Sequence, residues 1–512
     1  MSRNNTPSGG KREFIGQFII SDRKIHEEGF EYHPIKNDLV VSYHRNLPVH
    51  DDEEQDRLIR GYVWSTVAGD NPFSLRVDHI LTGDEFRAIE QNWCGRDVTV
   101  HRGVVMQDLD GMMPVFYDPE IGAASDPYLL AKQHGMKEKL YRPGVKMGWM
   151  PAPLTQYKGV ERLLLSQTYD CRTGLVSYVP TVPDTYRGFL PEDAYEAFKK
   201  RFLTGLRNMH SAYPERSLLV ALTGGVDSRT LFAAMVKAEL PFESYTLERS
   251  DMSEGDYTYP GIVAKKAGIP YTWIDRTGTA DEEKLEEYDH HVCGLVADED
   301  RLLFAYNQYQ ELLQYRGPVF LLRSAVWGSC TNGFEAYATD TEVNPDFYDQ
   351  FEIRKGSLEY KSLEEYFDWC RYHMEDHPLY SRIYGEQRDG AWMSYIERGF
   401  DIFSKYAPYE ECDKTENRVV PIQPVNCRAM LALMYQFRKE DLDTKEHQKA
   451  MTLEFLPVLA GIPYDTKEIR GDNPWKMTLR KGGAFARSVG QIGLIRTSGV
   501  YLKKIEKKRK AK

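Results

Sequence analysis

No run of about 18 consecutive apolar residues occurs in the sequence, so no segment reads as a membrane-spanning helix. Residues 1–12 are polar and lack the apolar centre of a secretory signal. Cysteine is sparse: seven residues in 512, scattered and never in a C-x-x-C pair. That excludes a disulfide framework and a zinc ribbon. Basic charge is in deficit, with 66 Lys and Arg against 77 Asp and Glu and a net charge of −11. Neutralising a phosphate backbone needs a basic face, so no specific nucleic-acid partner is expected. The expectation is a cytoplasmic chain without a membrane span.

Apolar residues at 41% and charged residues at 28% mark a globular chain. At about 150 residues per domain, its length suggests two to four domains. No internal repeat is visible. Residues 1–12 read as a mobile tail. From 13 to about 185 short β-type runs (14–20, 39–43, 98–105 and 115–117) alternate with Gly, Asp and Pro. The acidic run 51–56 reads as a solvated loop.

Near residue 190 the pattern changes. Pro191, Glu192 and Asp193 open a helix in which Tyr195, Phe198, Phe202, Leu206 and Met209 share one face. Residues 217–222 read as a buried parallel strand, 229–240 as a helix and 242–247 as a second strand, which together make a βαβ unit. A further helix (298–316) and strand (319–322) follow, then a helix-rich, aromatic stretch. The aromatic residues of 359–407 are expected to pack a core rather than to line a pocket. The basic end, 481–512, reads as a solvated tail.

The chemistry concentrates in Thr223-Gly224-Gly225-Val226-Asp227-Ser228, between a strand and a helix. Two glycines allow backbone N–H groups to approach an anion, Thr223 and Ser228 add hydroxyls, and the helix start adds positive potential. Asp227 makes sense there as a ligand for the Mg²⁺ that accompanies a polyphosphate. Neither G-x-x-x-x-G-K-[ST] nor G-x-G-x-x-G is present. His290, His291 and Cys293 lack a fourth partner and are not read as a metal site.

The hexad resembles the SGGxDS pyrophosphate loop of the ATP pyrophosphatases, with Thr223 where Ser is usual. "LTGGVDSRTLFAAM", "FESYTLE", the Asp256-bearing segment and "IPYTWI" resemble the synthetase domain of asparagine synthetases. The segment from Gly159 to Leu163 resembles the strand pair that often ends the same family's N-terminal domain, and "ENRVVPIQPVNCRAML" and Lys445 and Lys449 ahead of Phe455-Leu456-Pro457 resemble later segments of the family. The resemblance implies an α/β chain in two parts. One is a glutaminase-like (Ntn-hydrolase-like) β-rich sandwich over 13–185. The other is an adenine-nucleotide α-hydrolase-like domain with a parallel sheet and helical additions over 186–480. It further implies ATP and Mg²⁺ as cofactors, with pyrophosphate held by Leu222 to Ser228 and the metal by Asp227. The backbone of Thr246 and Leu247 would line the adenine, and Lys449, in second place Lys445, would stabilise phosphate charge.

The implied reaction is attack of a small-molecule or peptide carboxylate on ATP, then amide formation with an amine donor. Two departures stand out. The family's glutaminase nucleophile is a Cys after the initiator Met. Here Ser2 stands in its place and no Cys occurs before Cys94, so glutamine hydrolysis is not expected. The family's second acidic loop is replaced by residues 323–335, in which Glu335 is the sole acid. A nucleotide-binding scaffold, or an enzyme that modifies tRNA or nucleotides, are the alternative readings.

Overall fold

The computed structural model describes residues 14–136, 153–274, 318–324, 352–365 and 419–465, less 15, 37, 75–78, 110, 156, 164–166, 180–183, 249–251 and 363. Both terminal tails, His290, His291, Cys293, the 298–316 helix and Glu335 lie outside the described residues, as do the aromatic residues beyond 365.

The first part of the chain forms β1 (Phe18–Ser21), β2 (Phe30–Ile35), β3 (Leu39–His44), β4 (Val49–Asp52), β5 (Arg57–Ser65), helix α1 (Gly83–Glu90), β6 (Trp93–His101) and β7 (Val104–Gln107). It continues through β8 (Phe116–Asp118), β9 (Gly122–Ala124), α2 (Pro127–Gln133), β10 (Glu161–Arg162), β11 (Gln167–Asp170) and β12 (Leu175–Tyr178). These strands build two six-stranded sheets, ordered β10-β8-β9-β1-β3-β2 and β12-β11-β7-β6-β5-β4. Side chains alternate across a strand. Phe18, Ile20 and Val41 of the first sheet therefore meet Leu58, Val98 and Val100 of the second in one core. Ile19 turns outward under Leu129 and Leu130 of α2, and Ile59 and Val63 turn outward under Phe86 of α1. Strands β1, β5 and β6 are buried along their whole length, whereas the edge strands β2, β4 and β12 carry exposed positions.

Two readings of this part need correction. The 98–105 run is a hairpin, not one strand: Arg102 (φ 53°) and Gly103 (φ 81°) reverse the chain between β6 and β7. The acidic run is not a solvated loop throughout. Asp51 and Asp52 end β4 and pair with Arg60 and Arg57 of β5, both buried.

The long helix α3 (Pro191–Ala212) buries Phe198, Phe202, Leu206 and Met209 as its periodicity predicts. Beyond it come β13 (Ser217–Ala221), α4 (Val226–Lys237), β14 (Glu243–Leu247), α5 (Glu254–Ala267), β15 (Tyr271–Ile274), β16 (Val319–Leu322) and β17 (Val419–Ile422). Helices α6 (Arg428–Met434), α7 (Lys439–Thr444) and α8 (Glu446–Phe455) follow. The five strands form a parallel sheet ordered β15-β14-β13-β16-β17. One core joins it to the sandwich: Tyr62, Trp64 and Cys94 pack with residues of α3, α4 and α6. The Tyr213 hydroxyl accepts from the Val63 amide at 2.9 Å and donates to its carbonyl at 3.1 Å.

Candidate active site

The parallel sheet itself selects a site. From β13 the chain winds outward through β14 and β15, then returns to the other side of β13 with β16. The strand order therefore reverses beside β13, and ligands of open α/β sheets bind outside the carboxyl ends of the strands at such a point. The loop 222–228 leaves β13 there.

Its conformation is held from several directions. The Leu222 amide donates to the Tyr245 carbonyl (2.8 Å), and the Leu222 carbonyl accepts from Thr246 Oγ1 (2.7 Å). Thr223 donates its amide to Ser228 Oγ (3.0 Å), and the two hydroxyls lie 2.9 Å apart. Gly225 donates to Thr223 Oγ1 at 3.2 Å. The hydroxyls expected to face an anion are thus turned toward each other across the loop. The Gly224 amide donates to Asp256 Oδ1 (2.8 Å), and its carbonyl accepts from the Asp465 amide (2.9 Å).

The two glycines are not equivalent. A Cβ on Gly224 would stand 2.6 Å from the carbonyl carbon of Gly255, so only glycine fits without a shift of backbone. Gly225 is the N-cap of α4 with φ −75° and ψ 169°, an ordinary extended conformation. No side chain caps that helix. Val226, Asp227 and Ser228 form its first turn, where amide N–H groups have no partner within the helix.

Asp227 is the charged centre. Lys445 Nζ lies 2.9 Å from each of its oxygens, and Gln448 Nε2 donates to Oδ1 at 2.9 Å. Asp227 is 32% exposed and Lys445 31%. Lys445 sits between α7 and α8 with φ 58°. That left-handed residue breaks the helical register, and its ammonium reaches Asp227. Lys449, one turn inside α8, pairs instead with Glu446 at 2.7 Å. The structure therefore brings Lys445 to the loop and directs Lys449 elsewhere. Helix α8 is tied to α4 by Thr230 and Thr452, whose hydroxyls lie 3.0 Å apart, and by Thr230 Oγ1 donating to the Gln448 carbonyl (3.3 Å).

Thr246 is buried, its hydroxyl held between the Leu222 carbonyl and Tyr271 Oη. Leu247 ends β14 half-buried. Arg323, just past β16, donates to Tyr245 Oη at 3.4 Å. Burial pushes the Tyr245 phenol up, and the Arg323 charge opposes that rise. Residues the sequence reading passed over are Gln448, Arg229 and Asp465. Gln448 left a trace, since it lies three positions from Lys445 and beside Lys449. Asp465 left none, because its contact with Gly224 joins residues 241 positions apart in the chain.

Among the described residues no three His, Cys, Asp or Glu side chains gather as a metal cluster. No helix among them is long and apolar enough to cross a membrane.

No protein-family model matches the chain, and no curated protein matches it. Several solved structures are similar to it in part. A glutamine-dependent NAD+ synthetase from Acinetobacter baumannii in complex with ADP is 14% identical, over 31% of this chain and 29% of that one, with a TM-score of 0.20. NMN synthetase from Francisella tularensis is 16% identical, over 35% and 71%, with a TM-score of 0.18. A glutamine-dependent NAD(+) synthetase from Cytophaga hutchinsonii is 8% identical, over 70% and 62%, with a TM-score of 0.20. This chain therefore spans under a third of the first and under two thirds of the third. Likeness at this level carries no argument about activity, which rests on the loop and its surroundings.

Proposed function

We propose that the chain is an ATP-dependent ligase that activates a carboxylate as an acyl-adenylate and passes the acyl group to an amine. The single observation that supports this most is the hexad 223–228 at the reversal point of the parallel sheet, with Asp227 and Lys445 facing each other at its rim. In this reading a carboxylate oxygen attacks the α-phosphorus of ATP and the bond to the β-phosphate oxygen breaks, releasing pyrophosphate. The amine then attacks the acyl carbon, AMP leaves, and the amine gives up a proton.

The first-turn amides of α4, with the Thr223 and Ser228 hydroxyls, hold the departing pyrophosphate, Gly224 lets the loop pass close to Gly255, and Lys445 balances the charge. Mg²⁺ fits as an ion that arrives with the phosphates, since one partly exposed carboxylate, Asp227, suits that mode better than an all-protein cage. When bound, it neutralises phosphate charge. The backbone of Thr246 and Leu247 lies toward the base. Lys449 and Glu335 keep a place in the proposal only as secondary candidates. The substrates remain a small-molecule or peptide carboxylate and an amine donor that does not come from glutamine.

The test is thermal unfolding with and without ATP and Mg²⁺, for the wild type and Asp227→Ala. Ligand at about 100 times its dissociation constant adds about 2.7 kcal/mol, a visible shift of the midpoint. The shift should shrink in the variant. An unshifted, folded wild type ends the proposal. A second reading, a nucleotide-binding scaffold, draws on the engagement of both Asp227 oxygens by Lys445 and Gln448. It predicts nucleotide binding without a Mg²⁺ requirement and without pyrophosphate release from any carboxylate and amine pair.

A further inference from the structure

Arg229 follows the loop directly, yet nothing in the hexad accounts for it. Its side chain is 1% exposed. The guanidinium lies between two aromatic rings, with its carbon 5.2 Å from the centre of Tyr259 and 4.6 Å from that of Tyr464. Nη1 donates to the Ile462 carbonyl at 3.3 Å, while Nε and Nη2 have no hydrogen-bond partner among the described residues. A desolvated cation with unmatched donors is costly, and stacking on tyrosine offsets part of that cost. Apart from Tyr259 of α5, these contacts run from α4 to the segment from Ile462 to Asp465.

That segment acts on the loop. The Asp465 amide holds the Gly224 carbonyl, and a Cβ on Gly255 would lie 2.6 Å from Asp465 Cβ, so the segment is pressed onto both glycines. On the other side, the Asp256 carboxylate accepts from the Gly224 amide. The Gly224 residue is thus clamped at both its polar groups, and its carbonyl is kept bonded to a donor.

We propose that Arg229 is a positioning residue: by holding Ile462 and Tyr464 it keeps Asp465 on the Gly224 carbonyl, which sets the loop for a polyphosphate. The binding half of this proposal rests on the nucleotide reading above; the clamp itself does not. Without the guanidinium the segment loosens, and the freed Gly224 carbonyl presents negative charge toward the anion.

Hydrogen exchange of the ligand-free protein, followed by ATP–Mg²⁺ titration, tests both halves. Arg229→Met should accelerate exchange of the Gly224 and Asp465 amides about tenfold, the behaviour of a local opening, and should weaken nucleotide binding about tenfold. Tyr464→Ala, at a half-buried ring, should reproduce both effects should the first variant fold poorly. Arg229→Lys should restore part of the affinity. Arg428→Met, at a buried arginine that opens α6 and pairs with Glu90, controls for loss of stability alone and should change neither. Unchanged exchange at both amides overturns the proposal, as does faster exchange with unaltered affinity. Faster exchange in a chain whose wild type binds no nucleotide supports the clamp and removes the nucleotide reading instead.

Discussion

Two sets of carboxylate–cation pairs among the described residues, one in each part, differ in access to water. On β5, Arg57 and Arg60 are 1% and 0% exposed, paired with Asp52 and Asp51 and lying over the rings of Trp93 and Tyr43. Asp227 and Lys445 are about a third exposed at the edge of a loop. The first pairs cannot exchange partners without burying a bare charge, so they fix the hairpin. The second pair is solvated enough to trade one partner for another. The same two charges therefore build structure in the sandwich and stand ready for a ligand at the parallel sheet.

Breaking a sandwich pair should have the larger effect on stability. Asp51→Asn leaves Arg60 enclosed with no opposite charge. Removing one partner of a buried pair costs about 3–5 kcal/mol. Denaturant unfolding should show that loss, while the midpoint shift caused by ATP and Mg²⁺ stays as in the wild type. A loss of nucleotide response without loss of stability would erase the contrast between the two parts.

Next in size is Gly224→Ala. Its methyl meets backbone at Gly255, and overpacking of this kind costs about 1–3 kcal/mol. The nucleotide-dependent shift should disappear with it. Gly225→Ala should cost less on both counts, because its backbone is ordinary and a Cβ there would meet only the Thr223 hydroxyl, at 3.3 Å. Equal effects at the two positions would show that close approach at Gly224 is not what shapes the loop.

How much of this was legible depended on sequence distance. The parallel-sheet part is written locally: 217–222 and 319–322 read as strands within a residue of their observed ends. Helix α4 starts at Val226 rather than Arg229 because Gly225 serves as its N-cap. The sandwich depends on remote pairing. Ile19 faces Ala124 across β1 and β9, and Asp51 meets Arg60 only because β4 and β5 pair in that register. At the site, the hexad was legible and its cation was not. Left-handed backbone at Lys445 has no residue-type signature comparable to glycine, and the preference for Lys449 rests on the resemblance alone.

The smallest expected effect lies where the two parts meet, and it is a slope with pH rather than an offset. Asp97 on β6, Asp108 after β7 and Glu90 at the end of α1 are enclosed together. Burial pushes all three carboxyls up, that of Asp97 well above the usual carboxylate range, with the charges of Asp108 and Glu90 adding to the rise. Opposing it at Asp108 are the Asn426 amide (2.7 Å), the Met112 and Met113 amides (3.0 Å each) and the Arg96 charge; at Glu90 it is Arg428, 3.6 Å away. With a folded-state value above the unfolded one, the folded chain keeps a proton that the unfolded chain releases. Stability contributed by Asp97 is therefore greatest in acid and falls as pH rises from the ordinary carboxylate range through the folded value. Asp97→Asn retains an acceptor for Thr99 Oγ1, now 3.3 Å from Asp97 Oδ2, and removes the charge. Unfolding midpoints measured from about pH 5 to about pH 8 should decline less steeply in the variant, leaving it relatively more stable at the alkaline end. Parallel profiles for the two proteins would mean that Asp97 holds its place by hydrogen bonding alone, and that the junction, unlike the pairs on either side of it, is indifferent to charge.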